Sequence, residues 1–352
     1  MPIRVLIVED SPIALKILER ILNSSPDIEI VGTAHNGQEG LVLIPLVQPD
    51  VICTDFFMPE MNGLEFTIQV MVENPRPILV VSASVQEDDA YRIFQLLEAG
   101  AVDILPKPQA GLNDNNPLLK QSLINKIKVL AGVKVFKKKP RLRSQPVQPK
   151  VRLNYLTNTH KIVAIGASTG GPMALQSLLS ELPKDFPLPI ICVQHISQGF
   201  LQGLIDWLAN TCKLPIQIAK EGESPEPGKI YFPLERQHLT INHRGRFIYS
   251  YGQPEDSHCP SVTTLFSAIA QTYGRKAIGI LLTGMGRDGA DGMKAIADAG
   301  GMTIAQDEAT SVVFGMPKEA IDLGAASQVL PINAIALTVL QMVQPSYPKK
   351  RR

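Results

Sequence analysis

The sequence Ile-Val-Ala-Ile-Gly-Ala-Ser-Thr-Gly-Gly-Pro occupies residues 162–172 of the chain. It begins as a short apolar run rich in β-branched residues, as in a buried parallel strand, and continues as a glycine-rich turn. A helical pattern follows, so the stretch predicts a strand that leads through a tight turn into a helix. The pattern recurs, with further strands at 189–193, 277–282 and 302–305 and helices at 173–180, 201–209, 262–273 and 291–299. Short alternating runs within 221–251 predict a small antiparallel excursion.

The N-terminal part of the chain shows a second alternation of strands and helices. Strands are predicted at 3–8, 28–33, 51–54, 78–82 and 102–105, with helical stretches between them and again around 117–130. Ser11 is suited to cap the first helix and Pro12 to occupy its first position, whereas Pro45 should kink or shorten the second helix. Five strand–helix units predict a parallel sheet covered on both faces.

Composition narrows the class of protein. Of the 352 residues 45% are apolar, which is enough for a sizeable core, and no apolar run is long enough to span a bilayer. The start MPIRVLIVED lacks a secretory signal, and the four cysteines are widely spaced. We therefore expect a cytoplasmic protein with reduced thiols and no membrane insertion.

Charge is unevenly distributed along the chain. Residues 1–133 contain nine basic and seventeen acidic residues, whereas residues 134–152 contain eight basic residues and no acidic one. The basic, proline-containing stretch at 131–158 is expected to be an extended linker between domains at 1–130 and 159–345, and 346–352 a basic tail. A nucleic-acid-binding arm is the alternative. We expect no nucleic-acid partner, because few aromatic residues are interleaved and no DNA-binding fold follows.

Acidic residues stand at the strand ends of the first domain. Glu9 and Asp10 end the first predicted strand and Asp55 ends the third. Because the carboxyl ends of parallel strands share one edge, these carboxylates should converge, and oxygen ligands of this kind suit Mg²⁺. Ser82 and Lys107 bring a hydroxyl and an ammonium group to the same edge. Together these groups are suited to phosphoryl transfer onto Asp55.

The glycine-rich turn of the second domain offers a nucleophile. Gly166, Ser168 and Gly170 have the G-x-S-x-G spacing of a nucleophile elbow, in which a tight turn presents the serine oxygen near helix amides. The turn could instead bind dinucleotide phosphates or serve packing alone. The glycines do not match G-x-G-x-x-G, and no persuasive acidic ribose partner follows.

A serine nucleophile requires a base and an orienting carboxylate. His195 directly follows a predicted strand and should stand at the edge that holds Ser168, while His258 is a weaker candidate for the base. Asp288 and Asp291 both follow another buried strand. Asp291 could instead cap the next helix, so Asp288 is preferred.

The N-terminal part of the chain resembles the response-regulator receiver family, in the segments LIVEDS, TDFFMPEMNGLE, VVSAS and LPKP. The resemblance implies a flavodoxin-like domain in which Asp55 accepts phosphate from a histidine kinase. Mg²⁺ would be held by Asp10, Asp55 and the Phe57 carbonyl with support from Glu9. Ser82 and Lys107 would sense the phosphoryl group, and Lys107–Pro108 would be a cis bond. Ile104 departs from the family, which usually has an aromatic residue at this switch position.

The C-terminal part resembles the chemotaxis protein-glutamate methylesterase family in IGASTGGP, VQHIS, HCPSVTTLF and LLTGMGRDGADGM. The resemblance implies a Rossmann-like hydrolase with a Ser168–His195–Asp288 triad. Thr169 and the Met285 amide would be oxyanion or supporting groups, and the hydrolase would need no cofactor. Its substrates would be methylated chemoreceptors and its regulation would come from the receiver. The alternative is a receiver with a non-catalytic partner- or nucleic-acid-binding output module. The segment 232–239 departs from the family's usual turn, and the predicted linker and tail contain no aromatic-rich receptor-tethering pentapeptide.

Overall fold

The computed structural model describes residues 1–82, 87–108, 117–135, 160–253 and 258–343, with the backbone alone for the helical residues 87–91 and 117–118. The chain forms two compact units, each built around its own parallel sheet. The predicted linker lies largely outside the described residues and the predicted tail wholly outside them. Their boundaries therefore stay predictions.

The first unit is a five-stranded parallel sheet with helices between successive strands. Its strands are β1 (Ile3–Val8), β2 (Ile28–Ala34), β3 (Val51–Thr54), β4 (Ile78–Ser82) and β5 (Asp103–Pro106), in the spatial order β2-β1-β3-β4-β5. Its helices are α1 (Pro12–Leu22), α2 (Gly37–Val47), α3 (Gly63–Glu73), α4 (Glu87–Ala99) and α5 (Pro117–Leu130). This is the doubly wound order of flavodoxin-like sheets, which confirms the predicted fold class.

Local sequence determines where the helices of this unit begin and end. Ser11 caps α1 through its side chain, and Pro12 occupies the first turn, as expected. Asn62 and Glu65 form a reciprocal capping box at the start of α3. Pro45 lies in the last turn of α2, which ends two residues later at Val47. The missing amide of the proline therefore affects only the end of that helix.

The second unit contains a seven-stranded parallel sheet and a separate antiparallel pair. The parallel strands are β6 (Ile162–Ala167), β7 (Ile190–Gln194), β8 (Ile216–Ile218), β9 (Ile230–Phe232), β12 (Ala277–Leu281), β13 (Met302–Gln306) and β14 (Gln328–Leu330), in the order β14-β13-β12-β6-β7-β9-β8. β10 (Gln237–Ile241) and β11 (Phe247–Tyr251) pair antiparallel. The helices of this part of the chain, at 171–343, are α6 (Gly171–Leu179), α7 (Leu201–Ala209), α8 (Val262–Tyr273), α9 (Ala290–Asp298), α10 (Met316–Asp322) and α11 (Ile332–Val343), with a 3₁₀ turn at Gly274–Lys276.

Two expectations need correction, and several elements were not predicted. The run at 229–232 was expected in the antiparallel excursion, but β9 pairs parallel with β7 and β8, because its three buried residues extend the main sheet. The short strands β8 and β14 and the helices α10 and α11 were not predicted. Among the described residues the cis peptide bond is Cys259–Pro260, so the expected cis bond at Lys107–Pro108 is wrong. The trans isomer is the more stable form of most X–Pro bonds.

The centre of the second sheet positions the candidate site. All residues of β6, β7 and β12 are buried, and β6 lies between β7 and β12. The chain leaves β6 toward β7 on one side and later returns to β12 on the other. Such a reversal of strand order opens a crevice at the carboxyl ends of the strands, where ligands bind in open α/β sheets.

No helix among the described residues is both long and apolar enough to cross a membrane.

Candidate active site

Ser168 occupies the turn between β6 and α6. Its amide donates to the carbonyl of Thr283 at 3.0 Å, and its own carbonyl accepts from the Gly171 amide at 2.8 Å, which closes the turn. The backbone of Gly284 packs directly against the serine, since a Cβ atom built there would lie 2.7 Å from Ser168 Cβ. Ser168 is therefore fixed at the carboxyl end of the central strand.

His195 stands beside Ser168 on the neighbouring strand. Ala167 of β6 is paired with Gln194 of β7, so Ser168 and His195 each follow one member of a paired position. The amide of His195 donates to the Ala167 carbonyl at 2.9 Å. This register places Ser168 and His195 at the same edge of the sheet, as the sequence predicted.

Gln194 ties the two turns together and was not predicted as a site residue. Its buried side-chain amide donates to the carbonyls of Ser168 and His195, each at 2.8 Å. The position of Gln194 at the end of the otherwise apolar strand IICVQ was the available signal. A polar residue that is buried at a strand end usually has hydrogen-bond partners to satisfy.

Asp288 is held at the N-terminus of α8 and contacts the His195 ring. One carboxylate oxygen accepts from His195 Nε2 and from the Val262 amide, each at 2.8 Å. The other oxygen accepts from Ser261 Oγ at 2.8 Å and from the Thr263 amide at 2.9 Å. The carboxylate thus satisfies helix amides that would otherwise lack partners, and it orients the imidazole.

These hydrogen bonds keep Asp288 ionised. Burial raises the pKa of the carboxyl group. The pKa is lowered by more through the hydrogen bond from His195, the charge of the His195 ring, and the hydrogen bonds from the amides of Thr263 and Val262. The net result is a pKa well below the ordinary value. Asp288 is therefore an anion throughout the physiological pH range, next to a ring that can take up a proton.

Two other candidates lie in different environments. Asp291 lies in the first turn of α9, where it is exposed and forms a bidentate pair with Arg287, at 2.8 and 3.1 Å. It does not reach the histidine. His258, the weaker candidate for the base, stacks its ring on the ring of His195, with centroids 4.2 Å apart and an interplanar angle of 9°.

The ring of His195 has one nitrogen that remains available. Nε2 contacts Asp288, whereas Nδ1 is buried and has no hydrogen-bond partner among the described residues. No hydrogen bond of Ser168 Oγ is found in the described part of the chain either, so the serine–histidine bond is not formed in this conformation. Catalytic hydrogen bonds often tighten only when substrate binds.

Two backbone amides near the serine are also free to donate. Within the described ranges, the amides of Thr169 and Met285 make no hydrogen bond. Thr169 follows the serine directly, and Met285 follows the glycine that packs against it. Free amides beside a nucleophile are the groups that stabilise a developing oxyanion.

A second cluster of functional groups lies at the carboxyl edge of the first sheet. The carboxylates of Glu9, Asp10 and Asp55 each offer an oxygen, and these oxygens lie within 4.8 Å of one another. Lys107 Nζ binds Asp55 at 2.7 Å and Glu9 at 2.8 Å. The sequence-predicted convergence of acids and lysine is the arrangement observed.

Burial and pairing shift the titration of this cluster. Burial raises the pKa of Glu9, and its bond to Lys107 lowers the pKa by less. Burial also lowers the pKa of Lys107, but hydrogen bonds to Asp55 and Glu9 raise it by more, so the ammonium form is favoured. Two mostly buried carboxylates thus share one cation, which leaves the cluster rich in negative charge.

The donor set suits a small, hard cation. All side-chain ligands are carboxylate oxygens, and Glu9 Oε2 is buried without a hydrogen-bond partner among the described residues. Oxygen ligands of this kind, completed by water, are those that Mg²⁺ takes in proteins. Phe57 lies two residues beyond Asp55, and its carbonyl stays a predicted ligand.

The remaining predicted residues of this cluster are buried. Ser82 Oγ is buried at the end of β4 and lacks a partner within the described residues, so it could bond to an added group. Ile104 is buried in β5.

Both the N-terminal and the C-terminal part of the chain match models of known protein families. A family model described as CheB methylesterase matches residues 163–339, and one described as response regulator receiver domain matches residues 5–113.

The similarity to individual proteins extends over nearly the whole chain. A relative from Syntrophus aciditrophicus, named protein-glutamate methylesterase/protein-glutamine glutaminase 1, is 42% identical over 97% of this chain and 98% of its own length. A relative from Nitrosospira multiformis, named protein-glutamate methylesterase/protein-glutamine glutaminase, is 41% identical, with 97% of each chain covered. The crystal structure of the Thermotoga maritima CheB methylesterase catalytic domain is 38% identical. It covers 52% of this chain and 99% of that chain, with a TM-score of 0.51.

Proposed function

Because this chain belongs to the CheB methylesterase family and carries a receiver domain ahead of its methylesterase domain, we propose that it hydrolyses glutamyl methyl esters on chemoreceptors under the control of phosphorylation. The observation that carries the proposal is the contact of His195 Nε2 with Asp288, at 2.8 Å, beside Ser168. The anionic carboxylate fixes the proton on Nε2. Nδ1 is then the nitrogen that acts as the base.

The geometry supports acyl transfer through the serine. Ser168 Oγ bonds to the γ-carbonyl carbon of the ester while its proton moves to His195 Nδ1. The resulting imidazolium is stabilised by Asp288, and the amides of Thr169 and Met285 are placed to donate to the oxyanion. Breaking the carbon–methoxy bond then releases methanol, which carries away the proton from His195.

Water completes the cycle by the same groups in reverse. His195 removes a proton from water as its oxygen bonds to the acyl carbon, and Ser168 leaves as the alcohol with that proton. A glutamine side chain would pass through the same acyl-enzyme and release ammonia instead of methanol. The names of the two relatives above include a glutaminase activity, and we extend that activity to this chain as part of the proposal.

The receiver cluster is proposed to take up a phosphoryl group on Asp55 from a histidine kinase. Glu9, Asp10, Asp55 and the carbonyl of Phe57 would hold Mg²⁺, which would neutralise charge on the phosphoryl oxygens. Lys107 lies 2.7 Å from Asp55 and would bind the phosphoryl group, as would the Ser82 hydroxyl. The phosphorylated receiver is proposed to raise the rate of the esterase.

Methanol release tests the assignment of the nucleophile. Ser168→Ala is expected to abolish methanol release from membranes that contain methylated receptors, while transfer of phosphate to the receiver from acetyl phosphate is unchanged. Ser250→Ala, at an exposed position of β11, is the control and should retain the wild-type rate. Methanol release by Ser168→Ala near the wild-type rate would refute the assignment.

A further inference from the structure

The ring of His258 covers one face of the His195 imidazole. The two rings lie nearly parallel, at an interplanar angle of 9°, with centroids 4.2 Å apart. Because Asp288 contacts the edge of the same imidazole through Nε2, His195 is held along its edge and across its face by two different residues. The proposed mechanism uses the edge contact but assigns nothing to the stacked ring.

The segment that carries His258 is anchored to the same carboxylate. Three residues after His258, Ser261 donates its hydroxyl to Asp288, and the amides of Val262 and Thr263 donate to it as well. The amide of Ser261 donates to His238 Nδ1 at 3.2 Å. His258 is therefore presented to His195 from the fixed start of α8, close to the group that orients the imidazole edge.

We propose that His258 is a positioning residue of the esterase, whose stacked ring holds His195 in the orientation that directs Nδ1 to the serine. The proposal deepens the proposed function and rests on it.

Stacking has two physical consequences for the base. Rotation of the His195 ring out of its plane would collide with His258, so the orientation with Nε2 on Asp288 is favoured over others. When His195 becomes an imidazolium, the π face of the ring stacked on it also faces the positive charge, an arrangement that favours the cation. Both effects act on the transition state for proton transfer, so they should change kcat more than KM.

A metal site is the competing interpretation of the same residues. His195, His258 and Asp288 each offer a ligand atom within 4.8 Å of the others. The lone pairs of imidazole nitrogens lie in the ring planes, and these planes are nearly parallel. The lone pairs of the two rings therefore lie in two separate, nearly parallel planes. They cannot point at one shared metal ion, as the ligands of a tetrahedral site must. The stack favours positioning over metal binding.

Variants at His258 separate a stacking role from a general structural role. In the full-length chain with phosphodonor, His258→Ala is expected to lower kcat for methanol release about 10-fold with KM within 2-fold, the scale of an aromatic stack. His258→Phe keeps a planar ring and should restore kcat to within about 3-fold of wild type. His258→Asn keeps a polar group without a ring and should resemble His258→Ala. His243→Ala, at an exposed turn position between β10 and β11, is the matched control.

The outcomes distinguish this inference from the proposed function. Wild-type kcat in a folded His258→Ala variant would overturn the inference, as would equal losses in His258→Phe and His258→Ala. A raised KM with unchanged kcat would assign His258 to substrate binding instead. If the wild-type chain releases no methanol, the proposed function fails. The rate at which a fluorophosphonate probe labels Ser168 in the same variants then tests the positioning role by itself, with the same order expected.

Discussion

Replacing Asp288 by asparagine should impair catalysis far more than it impairs folding. The carboxylate accepts four hydrogen bonds, from His195 Nε2, Ser261 Oγ and the amides of Val262 and Thr263. An asparagine has one acceptor oxygen, so its amide group must face two of these donors whichever way the side chain turns.

The magnitudes follow from this pairing. The less unfavourable orientation keeps the oxygen toward His195 and Val262 and points the amide at Ser261, whose hydroxyl can rotate to accept, and at Thr263, whose amide loses its partner. One unpaired buried donor and the loss of charge-assisted bonds predict a decrease of about 2–4 kcal/mol in the free energy of unfolding. Since a neutral amide cannot stabilise the imidazolium, kcat should fall about 10⁴-fold, the scale of the loss when the carboxylate of a Ser-His-Asp triad is removed.

The assays read the two effects separately. Methanol release gives kcat, and urea unfolding followed by the fluorescence of Trp207 gives stability. Trp207 is the chain's only tryptophan and is buried in α7. Asp291→Asn is the matched control, because Asp291 is exposed and contacts Arg287 instead of the histidine. We expect it to change stability by less than about 0.5 kcal/mol and to leave kcat unchanged.

The pH dependence of stability gives an independent check. The folded pKa of Asp288 lies below its ordinary value of 3.8, so the carboxylate stabilises the fold above about pH 4. This contribution to stability is lost as the pH falls from the pKa of Asp288 in the unfolded chain toward its lower pKa in the folded chain. The stability difference between wild type and Asp288→Asn should therefore be constant above about pH 5 and shrink as the pH falls below about 4. A difference that stays constant below about pH 4, or a kcat for Asp288→Asn within about 10-fold of wild type, would mean that Asp288 is not the anion that orients His195.

Three further substitutions test the phosphate acceptor, the turn at Ser168 and the cap of α8. Asp55→Asn should abolish stimulation of methanol release by acetyl phosphate and keep basal activity; an undiminished response would contradict the assignment of the phosphate acceptor. Gly171→Ala places a Cβ atom 2.0 Å from Gln194 Oε1. It should destabilise the second unit by about 1–3 kcal/mol in urea unfolding, and wild-type stability would mean that the turn at Ser168 is looser than described. Ser261→Ala removes the N-cap of α8 and a donor to Asp288, so it should cost about 1 kcal/mol of stability and lower kcat, whereas Ser261→Thr should restore both.

The positions of Ser168 and His195 at strand ends could be predicted, because buried strands show in the sequence as short apolar runs. Apolar runs at 162–165 and 189–193 predicted β6 and β7, and the parallel arrangement implied that Ser168 and His195 would share an edge. The preference for Asp288 over Asp291 rested on the helix-capping alternative for the latter, and Asp288 is the carboxylate that reaches the imidazole.

What the sequence did not predict depends on side-chain packing or on very short elements. Which nitrogen of His195 faces Asp288, and which ring covers His195, are decided by rotamers within the folded site. The paired hydrogen bonds of Gln194 likewise require the register of two strands to be known. β9 is three residues long, which is too short for a period to show which sheet it joins.

Methanol release by the purified full-length chain, on membranes with methylated chemoreceptors, bears most directly on the idea of an esterase controlled by its receiver. Such an esterase should release methanol slowly with Mg²⁺ alone and clearly faster when acetyl phosphate is added. No release under either condition, or a rate that is indifferent to the phosphodonor, would contradict that idea.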